Sequence, residues 1–134
     1  MQWRNFEMPD ETLSPAVKQL LSRHIGSVEQ LEVLLLLRGS PERAWTSAEV
    51  YDVIRSSPAS VSQRLEAFTA AGFLAKEEGS PLRFRYAPNH SLRSAVDETA
   101  AAYRNWRIRV IEAIFAPEVD AVQSFADAFK LRKD

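Results

Sequence analysis

The sequence predicts a mainly α protein with one small β-hairpin, an α+β fold. Three observations carry this. Apolar residues recur at helical spacing over most of the chain, serine, threonine and glycine recur at helix boundaries, and a single stretch alternates apolar and basic residues. That stretch, Leu82-Arg83-Phe84-Arg85-Tyr86, follows Phe73–Glu78 across Gly79-Ser80-Pro81, which is hairpin chemistry.

The elements follow in order. Ser14 before Pro15 is a helix start, and Val17, Leu20, Leu21 and Ile25 share one side up to Gly26. Ser27 with Gln30 has the pattern of a capping box, opening a helix so apolar around its circumference that it is central to the core, closed by Gly39. Ser40–Trp45 is a turn with a short extended stretch. Thr46 and Glu49 make a second capping box, with Val50, Val53 and Ile54 as the inner face of the helix that follows. Ser57 and Pro58 start another helix, which Gly72 stops in a left-handed cap. Its ridge of Val61, Leu65 and Phe68 points inward, so Ala59, Gln63, Ala67 and Ala70 point outward, flanked by Ser60, Ser62 and Arg64. This outward face is small and low in charge. In the hairpin, Leu82, Phe84 and Tyr86 face the core and Arg83 and Arg85 face solvent.

Asn89 or Ser91 caps a helix from about Leu92 to Phe115, roughly 36 Å long at about 1.5 Å per residue. Leu92, Val96, Thr99, Tyr103, Trp106, Val110 and Ala113 form a three-four seam along it. The expectation is that this seam packs against a second copy of the chain, with packing on the chain's own first helix as the competing arrangement. Arg104, Arg107 and Arg109 fall on the same helix as a solvated or salt-bridged face with Asp97, Glu98 and Glu112. Pro117 opens a last helix with Val119, Val122, Phe125, Ala126 and Phe129 inward.

Composition narrows the function classes. The chain has 134 residues and no cysteine, which excludes disulfides and thiolate metal sites, and its 2 histidines, His24 and His90, leave zinc chemistry without ligands. No nucleophile elbow, phosphate loop or H-E-x-x-H pattern occurs, so neither an enzyme nor a cofactor is expected. The longest apolar run, Val33–Leu37, is too short for a bilayer and the N-terminus does not read as a signal peptide, so the expectation is a cytoplasmic protein without membrane contact. A net charge of -1 means that any polyanion must be met by local placement of charge. Between Arg38 and Pro88 the sequence holds Arg38, Arg43, Arg55, Arg64, Lys76, Arg83 and Arg85 against Glu42, Glu49, Asp52, Glu66, Glu77 and Glu78, a margin of one charge.

The order helix, short strand, helix, helix, hairpin resembles the winged helix-turn-helix domain, in particular bacterial transcription regulators of the MarR and PadR kind. The matching residues are the core helix LEVLLLL, the Trp45-Thr46 junction, SAEVYDVI, SPASVSQRLEAFTAAGFL and the hairpin ending LRFRYAP. The resemblance covers residues 27–88, leaving 1–26 as an N-terminal arm and helix and 89–134 as C-terminal helices for dimerisation. It implies that the helix from Pro58 enters a DNA major groove while the hairpin touches backbone or minor groove. Carried over by position, the candidate DNA contacts are Ser60, Ser62, Gln63 and Arg64, with Arg83 and Arg85 on the wing. The candidate dimerisation residues are Leu92, Val96, Tyr103, Trp106 and Val110. The implied function is a homodimeric transcriptional regulator that binds double-stranded DNA, any small-molecule effector being unknown. The alternative is a winged module that docks a protein through the same small-residue face, for which Glu77 and Glu78 on the wing speak.

Overall fold

A computed structural model describes residues 13–115. The helix predicted from Pro117 and the arm before Leu13 lie outside the described residues. In chain order the elements are α1 (Pro15–His24), α2 (Val28–Arg38), β1 (Ala44–Thr46), α3 (Ser47–Ile54), α4 (Pro58–Ala70), β2 (Leu74–Glu77), β3 (Arg83–Tyr86) and α5 (His90–Asn105). Residues 107–115 are again helical and are called α6 below.

The predicted caps form because each satisfies backbone donors or carbonyls that a helix end leaves open. Ser14, Ser27, Thr46, Ser57 and Asn89 all accept a hydrogen bond from a backbone N–H in the first turn of their helices. Thr46 and Glu49 complete a reciprocal box. The Ser27 box is only half reciprocal, because the Gln30 side chain accepts from the N–H of Gly26 instead of Ser27. α4 ends in a Schellman motif: Phe73 N–H donates to Phe68 O at 2.9 Å and Gly72 N–H to Thr69 O at 3.1 Å, with Gly72 at φ 94°. This stop fixes where the chain leaves α4 and sends Phe73 into the core, fully buried.

The core is centred on α2, whose Leu31, Val33, Leu34 and Leu37 have no exposed surface. Val50 of α3, Val61 and Leu65 of α4, and Phe73 close around it, all equally buried. α3 differs from expectation at one residue. Its inner side runs through Val50, Ile54 and Tyr51, which places Val53 around the far side of this short helix, where it is 56% exposed.

The hairpin belongs to a three-stranded antiparallel sheet in the order β1-β3-β2, with β3 at its centre. Trp45 of β1 and Lys76 of β2 both stand opposite Phe84. Phe84 and Tyr86 face inward as alternation requires, with Leu82 packed partly against the core. Pairing with β1 makes the wing the continuation of the strand that precedes α3.

The C-terminal part corrects the single long helix and shows how the seam packs within the chain. The single long helix is interrupted at Trp106 (φ -137°, ψ 52°), which caps α5 while its carbonyl accepts from Val110 N–H at 2.9 Å to open α6. The seam is also largely consumed within the chain. α5 lies along α1, with Ser14 Oγ donating to Glu98 at 2.7 Å, and is tied to α2 by Arg38–Asp97 at 3.0 Å and by Tyr103 Oη donating to Glu32 at 3.3 Å. Val96, Thr99, Tyr103 and Val110 are therefore buried and Leu92 is half-buried, while Trp106 alone of the proposed dimerisation residues is exposed.

Gly72 gives a direct test of the stop that links α4 to the wing. A Cβ there meets only Leu92 Cδ1 at 3.5 Å, an ordinary contact, so the penalty for a side chain is conformational and not steric. Gly72→Ala is expected to lower unfolding free energy by about 1–2 kcal/mol in urea denaturation. An unchanged midpoint would mean that the left-handed turn does not constrain the fold.

Candidate nucleic-acid interface

α4 buries Val61, Leu65 and Phe68 on α2, α3 and the sheet, and this ridge turns the opposite side of the helix to solvent. Ala59, Ser62, Gln63, Glu66, Ala67 and Ala70 are exposed there. With alanines at three of these positions, a flat surface can approach the helix backbone closely, leaving Gln63 as the long neutral reader. The amide of Gln63 offers both donors and an acceptor, which suits an adenine edge.

The candidate side chains divide according to their partners. Ser60 Oγ donates to Glu29 at 2.7 Å and Arg64 Nε donates to the same carboxylate at 3.0 Å, while Ser56 donates to its other oxygen. Glu29 sits in the first turn of α2 with 17% of its side-chain surface exposed. Ser60 and Arg64 therefore face inward and hold α4 against α2. Ser62 Oγ shares a hydrogen bond of 2.8 Å with Ser47 Oγ of α3, at the edge of the open face. On the wing, Arg83 Nη1 lies 3.9 Å from Glu49, which also receives Arg43 at 3.6 Å. Arg85 pairs with Glu77 at 2.7 Å and donates to the carbonyl of Glu42. Lys76 reaches Glu66 at 2.7 Å.

Magnitude separates these pairs. Arg43, Arg83 and Glu49 keep 47%, 42% and 39% of their side-chain surface, and exposed, solvent-screened pairs of this kind contribute little, so a phosphate can replace the carboxylate at small cost. Withdrawing Arg64 would take the paired cation from the mostly buried Glu29 and leave it to the hydroxyls of Ser56 and Ser60, which costs more. The surface thus offers Gln63, Ser62 and Arg83 with little rearrangement, and Arg85 less readily. Arg43, stacked 3.6 Å over the Trp45 ring beside Arg83, was not among the sequence candidates. Its place follows from the β1–β3 pairing, which no local pattern announces.

No metal-binding group of histidines and carboxylates occurs among the described residues, and none of their helices is long and apolar enough to cross a membrane. No protein-family model and no curated protein matches the sequence. Solved structures do. Sco5413, a MarR family transcriptional regulator from Streptomyces coelicolor, aligns over 97% of this chain and 91% of its own at 15% identity and a TM-score of 0.54. The transcriptional regulator MosR of M. tuberculosis aligns over 96% and 94% at 15% identity and 0.53. The fold is a MarR-like winged helix. A mutant of MepR from S. aureus bound to an oligodeoxyribonucleotide shares this winged helix over 100% of this chain and 99% of its own, at 11% identity and a TM-score of 0.53. Within the winged helix, α3 and α4 are the helix-turn-helix and the β2–β3 hairpin is the wing.

Two titrating groups report on how α4 and the wing are held. Burial, and secondarily the charge of Arg23, lowers the pKa of His24, whose ring meets Phe73 edge-on at 4.9 Å. For Glu29, burial pulls the pKa upward. The hydrogen bonds from Ser56, Ser60 and Arg64, with the charge of Arg64, outweigh it, so the carboxyl titrates below its ordinary value. Both depressed values give stability that is complete above the unfolded pKa and lost as pH falls through the folded one. Urea midpoints are therefore expected to decline first below pH 6.5 and again below pH 4.5. His24→Gln removes the upper decline, and Glu29→Gln makes the lower one shallower, the remainder coming from Glu49, whose pKa the backbone N–H of Thr46 also holds down. A profile that keeps both declines unchanged in both variants would contradict these assignments.

Proposed function

We propose that this chain binds duplex DNA as a cytoplasmic, non-enzymatic transcriptional regulator and does so as a homodimer. The observation that carries the reading is the open, nearly neutral face of α4, with Gln63 between Ala59 and Ala67. A major groove admits a helix when such a side approaches without bulky or acidic obstruction. Glu66, one turn beyond Gln63, is already paired with Lys76. The likeness to MepR, whose structure contains an oligodeoxyribonucleotide, supports the same use of the fold here.

A dimer follows from charge and from surface. With a net charge of -1 a single copy gathers few phosphate contacts, and two copies double them and fix two half-sites. Trp106, Ile108 and Phe115 are 49%, 67% and 58% exposed at the α5–α6 junction and along α6, an apolar surface that a second copy would cover. In this arrangement the partner meets Trp106 and the outer side of α6, while Leu92, Val96, Tyr103 and Val110 support that surface from within the chain. The competing reading, a protein-docking module without DNA contact, is favoured by the ion pairing of the wing arginines.

Fluorescence anisotropy on a library of duplexes separates the two. The parent is expected to bind with a steep salt dependence. Gln63→Ala is expected to lose about 1–3 kcal/mol of discrimination at one position of each half-site, with nonspecific affinity retained. Absence of binding to every duplex at low salt would favour the docking module. In parallel, sedimentation of Ile108→Asp is expected to show monomer where the parent is dimeric. A parent that sediments as monomer at micromolar concentration would remove the dimer.

A further inference from the structure

We infer that Arg55, in the turn between α3 and α4, is a phosphate anchor for duplex DNA; this rests on the DNA-binding reading above. Among the described residues of the winged region, Arg38, Arg43, Arg64, Lys76, Arg83 and Arg85 each have a carboxylate within 4.0 Å. Arg55 has none. Its guanidinium lies 5.0 Å from the centre of the Tyr51 ring and its side chain is exposed. Where the other cations of the winged region are paired, this one keeps its full charge among the described residues.

The position carries a backbone handicap that the fold does not require of an arginine. Arg55 closes α3 with its N–H donating to Tyr51 O at 2.8 Å and sits at φ 63°, ψ 29°, the left-handed region that favours glycine. Glycine would make the same turn without strain. A charged side chain held there is consistent with a use for the side chain itself. The location suits a backbone contact: Arg55 stands two residues before the Ser57 cap, at the N-terminal end of the helix that carries Ala59 and Gln63. A planar guanidinium steadied by Tyr51 has the fork geometry that phosphate oxygens accept in pairs.

The test compares the full chain with Arg55→Ala, Arg55→Gly and Arg55→Lys in anisotropy titrations on a mixed-sequence duplex pool over a series of salt concentrations, with thermal melting of each variant. Arg55→Gly is expected to melt no earlier than the parent. Arg55→Ala and Arg55→Gly are expected to bind about tenfold more weakly on every duplex, with the salt slope reduced by about one per bound subunit. Arg55→Lys is expected to keep the slope. If the parent binds and the variants match its affinity and slope, Arg55 is not an anchor while the DNA-binding reading stands. Weakening confined to particular sequences would overturn a phosphate contact in favour of a base contact. A parent that binds no duplex overturns both readings together.

Discussion

The carboxylate of Glu29 fixes the face that α4 presents to solvent. The buried ridge of Val61, Leu65 and Phe68 sets which side of α4 faces the core, and polar contacts at its flank fix that setting further. Hydrogen bonds from Ser56, Ser60 and Arg64 to one carboxylate do this, because three donors from α4 and its leading turn converge on a single group of α2. The Schellman stop at Gly72 then fixes the far end of the helix and the direction of β2. Between these points α4 is held rigidly enough for a side chain such as Gln63 to be placed repeatedly against a ligand.

The same interaction divides two roles among residues that look alike in the sequence. Ser60 and Ser62 are both serines, one helical step pair apart, yet one is a tether to α2 and the other lies at the rim of the open face. Arg64 and Arg55 are both arginines near α4, but one is neutralised by a mostly buried carboxylate and the other by nothing among the described residues. Charge count alone therefore understates what the surface can offer: a near-neutral domain can still present a few cations where they matter.

Local chemistry was legible in the sequence and tertiary pairing was not. The caps at Ser14, Thr46 and Ser57, the stop at Gly72 and the inward alternation of Phe84 and Tyr86 depend on neighbours within a few residues, so their patterns are visible without a fold. Glu29 is 35 positions from Arg64 and looks like an ordinary first-turn acid until α2 and α4 are brought together. Trp106 interrupts the C-terminal helix with neither glycine nor proline to mark it, so the seam through Val96 and Val110 reads as continuous. Arg55 in the left-handed region escapes notice for a similar reason, because only glycine and asparagine advertise that conformation.

The measurement that bears most directly on the central claim is a backbone amide NMR titration of the full chain with a duplex. If the face fixed by Glu29 meets the groove, the largest shift changes fall on Ala59, Ser62, Gln63 and Ala67, while Val61 and Leu65 move little. Changes that spare α4 and gather instead on α1, α5 or the 107–115 helix would show that this face is not where DNA is met.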